Sequence, residues 1–152
     1  MSIYENLSDF QLKIDSDPVD YGTLAEMQAK GYSEALILSA YKVAAKIMLA
    51  ENAQLKEVAG TTWNTYPVRT DNQSQQRIND VYTMSKNGLW VDGKVFKFAD
   101  GVPRPMTSVE IENLVETVIS YVQNIVETEA TKITQIDNAT TLTEVDAVDL
   151  TF

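Results

Sequence analysis

The sequence predicts an α+β fold in which a small antiparallel sheet packs on a long C-terminal helix, with an additional N-terminal helix. Three observations carry this reading. Apolar residues recur at three- and four-residue spacing from Ile111 to Ile136, behind a Thr107-Ser108-Val109-Glu110 capping box. A second stretch, from Ser33 to about Val58, has the same period. Between the two lie short runs rich in β-branched and aromatic residues, separated by turn residues.

At the N-terminus, Met1 to Asp20 mixes apolar residues (Ile3, Tyr4, Leu7) with an acidic patch of Asp15, Asp17 and Asp20 around Pro18. Phe10, Leu12 and Ile14 alternate with Gln11 and Lys13, which has the period of a strand. The acidic patch lacks the glycine and terminal glutamate of a calcium loop and reads as a solvated turn. Thr23 to Lys30 is a turn or two of helix, stopped by Gly31.

Ser33 can cap the next helix. Along it Ile37, Tyr41, Ala44, Met48, Leu55 and Val58 form one apolar stripe, and Leu36, Ala40, Val43 and Ile47 form a neighbouring one. Two stripes leave only a narrow wet face, so the helix is either central in its domain or covered by another chain. The heptad-like row Ile37, Tyr41, Ala44 and Met48 is the candidate partner-binding surface; the competing expectation is that a stripe packs under the N-terminal arm of Ile3, Leu7 and Phe10.

After Ala59-Gly60, Thr61 to Tyr66 reads as a strand ended by Pro67. Asp71 sits where a helix cap is needed, and Ile78, Val81 and Tyr82 follow at buried-stripe spacing, which predicts a helix from Asn72 to Lys86 ended by Asn87-Gly88. Leu89-Trp90-Val91 and Lys94 to Phe98 flank Asp92-Gly93 and read as a hairpin. With the Trp63 strand this makes about three strands. Gly101 to Pro105 reads as a loop, and Thr143 to Val148 as a last helical turn.

Composition excludes more than it assigns. The 152-residue chain has no cysteine and no histidine, which removes disulfides, thiolate nucleophiles, the commonest general base and the commonest zinc ligand. Catalysis is not expected, nor is any cofactor or metal. A net charge of -10 disfavours nucleic acid, whose binding depends on lysine and arginine displacing counterions. Met1 to Phe10 lacks the pattern of a secretory signal, and the apolar run Ala35 to Ala50 is interrupted by Lys42 and Lys46, so no membrane insertion is expected. Glu112, Glu116, Glu127 and Glu129 read as the solvated side of a helix. Trp63, Tyr66, Tyr82 and Trp90 are compatible with a sugar-stacking platform, but core packing is their default, as a weak exposed ion pair is for Arg77.

The pattern Thr70-Asp71-x-x-Ser74-Gln75-x-Arg77-Ile78, followed by Trp90-x-Asp92-Gly93, a long helix and Ile136-x-x-Ala139-Thr140-Thr141-Leu142, resembles a domain of unknown function recurrent in bacteriophage tail-fibre and tail-fibre-assembly proteins. The resemblance spans roughly residues 61–150. It implies a phage structural or assembly context and brings no catalytic residues with it. The chain thus divides into an N-terminal arm and helix, 1–60, as assembly region and a tail-type domain, 61–152.

Together these readings give the expectation of a non-enzymatic structural component of a phage tail, tail fibre or baseplate. It would contact other tail proteins, with a homotrimer or larger ring as its own assembly. Its location would be the virion tail, and the host cytoplasm during assembly. The alternative is a tail-fibre assembly chaperone that binds the fibre transiently, and a glycan-binding module or small enzyme comes third.

Overall fold

A computed structural model describes residues 6–152 and has the expected mixed class: helices joined by small antiparallel sheets, with a long helix towards the C-terminus. Ile3 and Tyr4 of the N-terminal arm lie outside the described residues. In chain order the elements are a 3-10 turn (Leu7–Asp9), β1 (Leu12–Ile14), β2 (Asp20–Gly22), α1 (Leu24–Ala29), α2 (Glu34–Val58), β3 (Thr61–Trp63), β4 (Tyr66–Val68), α3 (Asn72–Lys86), β5 (Lys94–Lys97), β6 (Pro103–Met106), α4 (Ser108–Asn138) and α5 (Leu142–Asp146).

These residues group into two compact units. One comprises the described residues up to Gln54 together with Glu127–Phe152; the other is the continuous segment Leu55–Val126. The second unit starts within α2, at Leu55, and the last part of α4 and all of α5 group with the N-terminal region.

The physical reason lies on α2. In the first unit its buried side Ile37, Tyr41, Ala44, Ala45, Met48 and Leu49 shares one core with Leu7, Leu12, Ile14, Met27, Ile136 and Val145. Polar contacts pin the same elements together. The Tyr41 hydroxyl donates to Asp146 Oδ1 at 2.6 Å, Lys46 pairs with Asp137 at 2.8 Å, and the Asn52 amide donates to the Leu150 carbonyl at 3.0 Å. Burial of Tyr41, Met48 and Leu49 alone removes enough apolar surface to stabilise the packing by about 1.5–3 kcal/mol per side chain. The acidic turn is solvated at Asp15 and Asp17, while Asp20 pairs with Lys30 at 2.8 Å. The Lys30 ammonium and the Tyr32 hydroxyl hold the Asp20 carboxyl below its ordinary range.

In the second unit, Trp63, Val68, Phe96, Phe98 and Met106 of the hairpins form a core with Ile78 of α3 and Ile111, Leu114, Val115 and Val118 of α4. Small antiparallel sheets thus pack on the long helix. The strand pairing, however, differs from the expectation of one three-stranded sheet. Each sheet is a separate two-stranded hairpin: β1 with β2, β3 with β4, and β5 with β6.

Thr61 to Tyr66 is not one strand but a hairpin whose turn, Asn64-Thr65, has positive φ at both residues, 46° and 70°. That is the two-residue turn whose twist matches the flanking strands. Leu89 to Val91 is not a strand at all. Lys94 to Lys97 pairs instead with Pro103 to Met106, a strand that begins inside the stretch Gly101 to Pro105 expected to be a loop. Phe98 N–H donates to the Val102 carbonyl, so by alternation the pairs Lys97 with Pro103 and Val95 with Pro105 are non-hydrogen-bonded. Neither proline is asked for the N–H it lacks.

Candidate functional site

The four residues expected to meet a partner, Ile37, Tyr41, Ala44 and Met48, are all buried in the core of their own unit. This corrects the assignment of the interface: the row is covered by the hairpin of β1 and β2, by α1, by the end of α4 and by α5. The neighbouring row is the open one. Leu36, Val43 and Ile47 retain 49%, 52% and 45% of their accessible surface, while Ala40 between them is buried. Choosing between the rows was beyond periodicity, since both have helical spacing. Only the fold of the C-terminal segment back onto α2 separates them.

The second feature is the segment from Thr70 to Ile78, nearly all of which is architecture. The Thr70 hydroxyl is fully buried; it accepts from the Gly60 N–H at 3.0 Å and donates to the Glu57 carbonyl, closing the end of α2. Asp71 Oδ1 accepts from the Ser74 N–H at 3.0 Å and its Oδ2 from the Ser74 hydroxyl at 2.8 Å, so the cap expected at Asp71 is present. Those two bonds hold the Asp71 carboxyl below the usual carboxylate range. The Gln75 side-chain amide donates to the Thr70 carbonyl at 2.6 Å, and Ile78 enters the core.

Trp90 and Asp92 are architectural as well. The Trp90 indole donates to the Met106 carbonyl at 3.1 Å, and Asp92 Oδ1 accepts from the Ser108 N–H at 2.8 Å, at the head of α4. Thr107 and Glu110 complete the expected capping box there. A second box, between Thr141 and Glu144, starts α5.

Arg77 is the exception. Among the described residues its guanidinium makes no ion pair; it lies over the ring of Phe96, 5.5 Å from the centroid. Asp80, three residues on, accepts from the Gln76 amide at 2.9 Å instead. The expected exposed ion pair at Arg77 is therefore replaced by a cation over a buried aromatic ring. Arg77 forms one wall of a groove of about 700 Å³ between α3 and the turn joining β5 to β6, and Arg69 and Lys97 also line it. Arg69, Lys97 and Phe96 carried no recognisable signal in the sequence.

The aromatic residues do not make an open platform. Trp63 is buried and stacks on Phe98 at 6.0 Å, Tyr66 tilts against Phe98 at 5.2 Å, and Trp90 is buried. Arg104 covers Tyr66 at 4.1 Å and pairs with Asp100 at 2.7 Å. Of the four helix glutamates, Glu112 pairs with Lys86 at 2.8 Å. Among the described residues no helix is long and apolar enough to cross a membrane.

A family model described as a domain of unknown function, DUF4376, matches residues 40–150. The chain belongs to the DUF4376 family. The matched region begins inside α2, earlier than residue 61, and takes in the open side chains Val43 and Ile47 as well as the whole groove. No curated protein and no solved structure matches the chain. In this DUF4376 domain the roles of these residues come from their own geometry: Thr70, Asp71, Ser74, Gln75, Ile78, Trp90 and Asp92 build the fold, and Arg77 lies over Phe96 in the groove.

Proposed function

We propose that the chain is a non-enzymatic structural component of a bacteriophage tail, tail fibre or baseplate, acting through protein–protein contacts. The observation that carries this is the open row on α2. Leu36, Val43 and Ile47 lie on a 25-residue helix at spacings of seven and four, the pattern with which helices pack side by side. Isolated exposed apolar residues are ordinary on a protein surface, but a row of large ones along one helix face marks an interaction surface. The phage context rests on the resemblance of Thr70 to Leu142 to tail-fibre proteins.

The occupant proposed for the row is a second copy of the chain, in a homotrimer or larger ring, because a heptad-like face is self-complementary and closed symmetric assemblies are the rule for repeated subunits. Other tail proteins attach to the assembled ring. Assembly takes place in the host cytoplasm, and the protein ends in the virion tail.

Quantitative mass spectrometry of purified virions tests the assignment. A structural part is present in a fixed, integral ratio to the other tail proteins. Absence from virions, with recovery of the chain bound to a fibre protein from infected lysates, would make it an assembly chaperone instead. Turnover of a substrate by the purified chain would remove the non-enzymatic reading.

A further inference from the structure

We propose that the groove between α3 and the β5–β6 turn receives a short acidic segment of a partner protein, whose carboxylates meet Arg69, Arg77 and Lys97. The inference stands apart from the tail assignment, because it concerns the chemistry of the ligand and not its source.

Three cations converge on one groove in a chain whose net charge is -10. None of the three forms an ion pair among the described residues, whereas the third arginine of the chain, Arg104, is matched to Asp100 at 2.7 Å. Two carboxylates, Asp71 and Asp80, line the same groove and the charge of Arg69 acts on Asp71, so the lining carries three positive charges against two negative ones, a local surplus opposite in sign to the chain as a whole.

Arg77 also has an aromatic support. The Phe96 ring beneath it is buried and packed edge-on against Phe98 at 5.2 Å. The guanidinium lies over that ring, among the described residues its N–H groups meet no ion-pair partner, and a planar fork of donors matches a carboxylate with two parallel bonds.

The charge of the whole molecule decides the size of the ligand. A long polyanion such as a nucleic acid would meet the repulsion of the acidic surface along its length. At physiological ionic strength fields are screened over about 8 Å, so a segment of a few residues experiences chiefly the charges of the groove itself, where cations outnumber carboxylates. Val68, Ile78, Phe96 and Phe98 contribute apolar lining, which suits a segment of mixed carboxylate and aliphatic side chains better than a bare anion.

The probe is a capped peptide of alternating glutamate and leucine, labelled for fluorescence anisotropy at low salt, with its glutamine–leucine counterpart as control. Inorganic phosphate and a sulfated oligosaccharide serve as competitors. The glutamate peptide is expected to bind wild type, and Arg77→Gln to bind it about tenfold more weakly, as for loss of one charge-assisted fork. Lys13→Gln, which makes the same change in net charge in the other unit, is expected to leave affinity unchanged, and both variants to keep the wild-type circular dichroism spectrum. The proposal is overturned if wild type does not bind the glutamate peptide or binds the glutamine peptide equally well. It is also overturned if Lys13→Gln weakens binding as much as Arg77→Gln, or if phosphate or the oligosaccharide binds the groove and the peptide does not displace it.

Discussion

Replacing Thr70 by valine removes a hydroxyl while keeping the shape of the side chain, and so isolates the polar contribution at the junction between α2 and β3. Thr70 is fully buried, and its Oγ1 both accepts from Gly60 N–H at 3.0 Å and donates to the Glu57 carbonyl. In Thr70→Val one donor and one acceptor lose their partner together. A buried polar group left unsatisfied costs about 1–3 kcal/mol, and Gly60 and Glu57 are both only partly buried, so the sum over the two groups is about 3 kcal/mol. For a chain of this length that corresponds to a fall in Tm of about 6–12 °C. Thr70→Ser keeps the hydroxyl and loses one buried methyl, at about 1 kcal/mol. Urea unfolding followed by tryptophan fluorescence measures both, because Trp63 and Trp90 are buried in the same unit as Thr70. If valine proves no more costly than serine, the hydroxyl does not close the end of α2 and the role assigned to the Thr70 to Ile78 segment fails.

Three further outcomes follow from particular contacts. Gly60 has φ +92°, and a Cβ there would stand 2.8 Å from the Val68 carbonyl oxygen, while at Gly88, φ +67°, a Cβ meets nothing within 4 Å; Gly60→Ala is expected to cost at least about 1 kcal/mol more than Gly88→Ala, where only the left-handed backbone is strained, as chemical denaturation of the two would reveal. Asp71→Ala loses a cap at about 1 kcal/mol and leaves partner binding intact; the difference from wild type is present at neutral pH and shrinks as pH falls from 3.8 through the lowered folded pKa of Asp71, and loss of binding at unchanged stability would make the segment a contact site. Burial, and the bond to Asp146, push the Tyr41 hydroxyl well above its ordinary pKa of 10.0, so its contribution is complete below pH 10.0 and is lost as pH rises towards the folded value; denaturation midpoints measured at rising alkaline pH should fall less steeply in Tyr41→Phe than in wild type.

The helices were legible because their signals are local. Ser33, Asp71 and Thr107 each stand one residue before the helix they start, and the α3 bounds expected from Asp71 and Asn87-Gly88 are those observed. The strands were less so, because pairing is decided across the chain. Asp92-Gly93 has the composition of a hairpin turn, yet Asp92 is used to hold the first turn of α4, and the hairpin lies further on, with Pro103 and Pro105 in its second strand. A proline tolerated at a non-hydrogen-bonded position cannot be told from one that breaks a strand until the register is known. The site divides in the same way. Arg77 stood out through the pattern around it, but Phe96 and Lys97 reach the same groove only through the β5–β6 hairpin. The two stripes of α2 were both visible, and which of them stays open was fixed by Ile136 and Val145, about a hundred residues away in sequence.

Sedimentation velocity of the purified chain and of Val43→Asp/Ile47→Asp tests most directly whether the chain works by assembling through the open face of α2. Wild type is expected to sediment as a trimer or larger ring. The double variant, whose new carboxylates lie at exposed positions, should sediment as a monomer with unchanged circular dichroism and unchanged thermal midpoint. A wild type that remains monomeric at every concentration, or a variant that assembles as well as wild type does, contradicts the account.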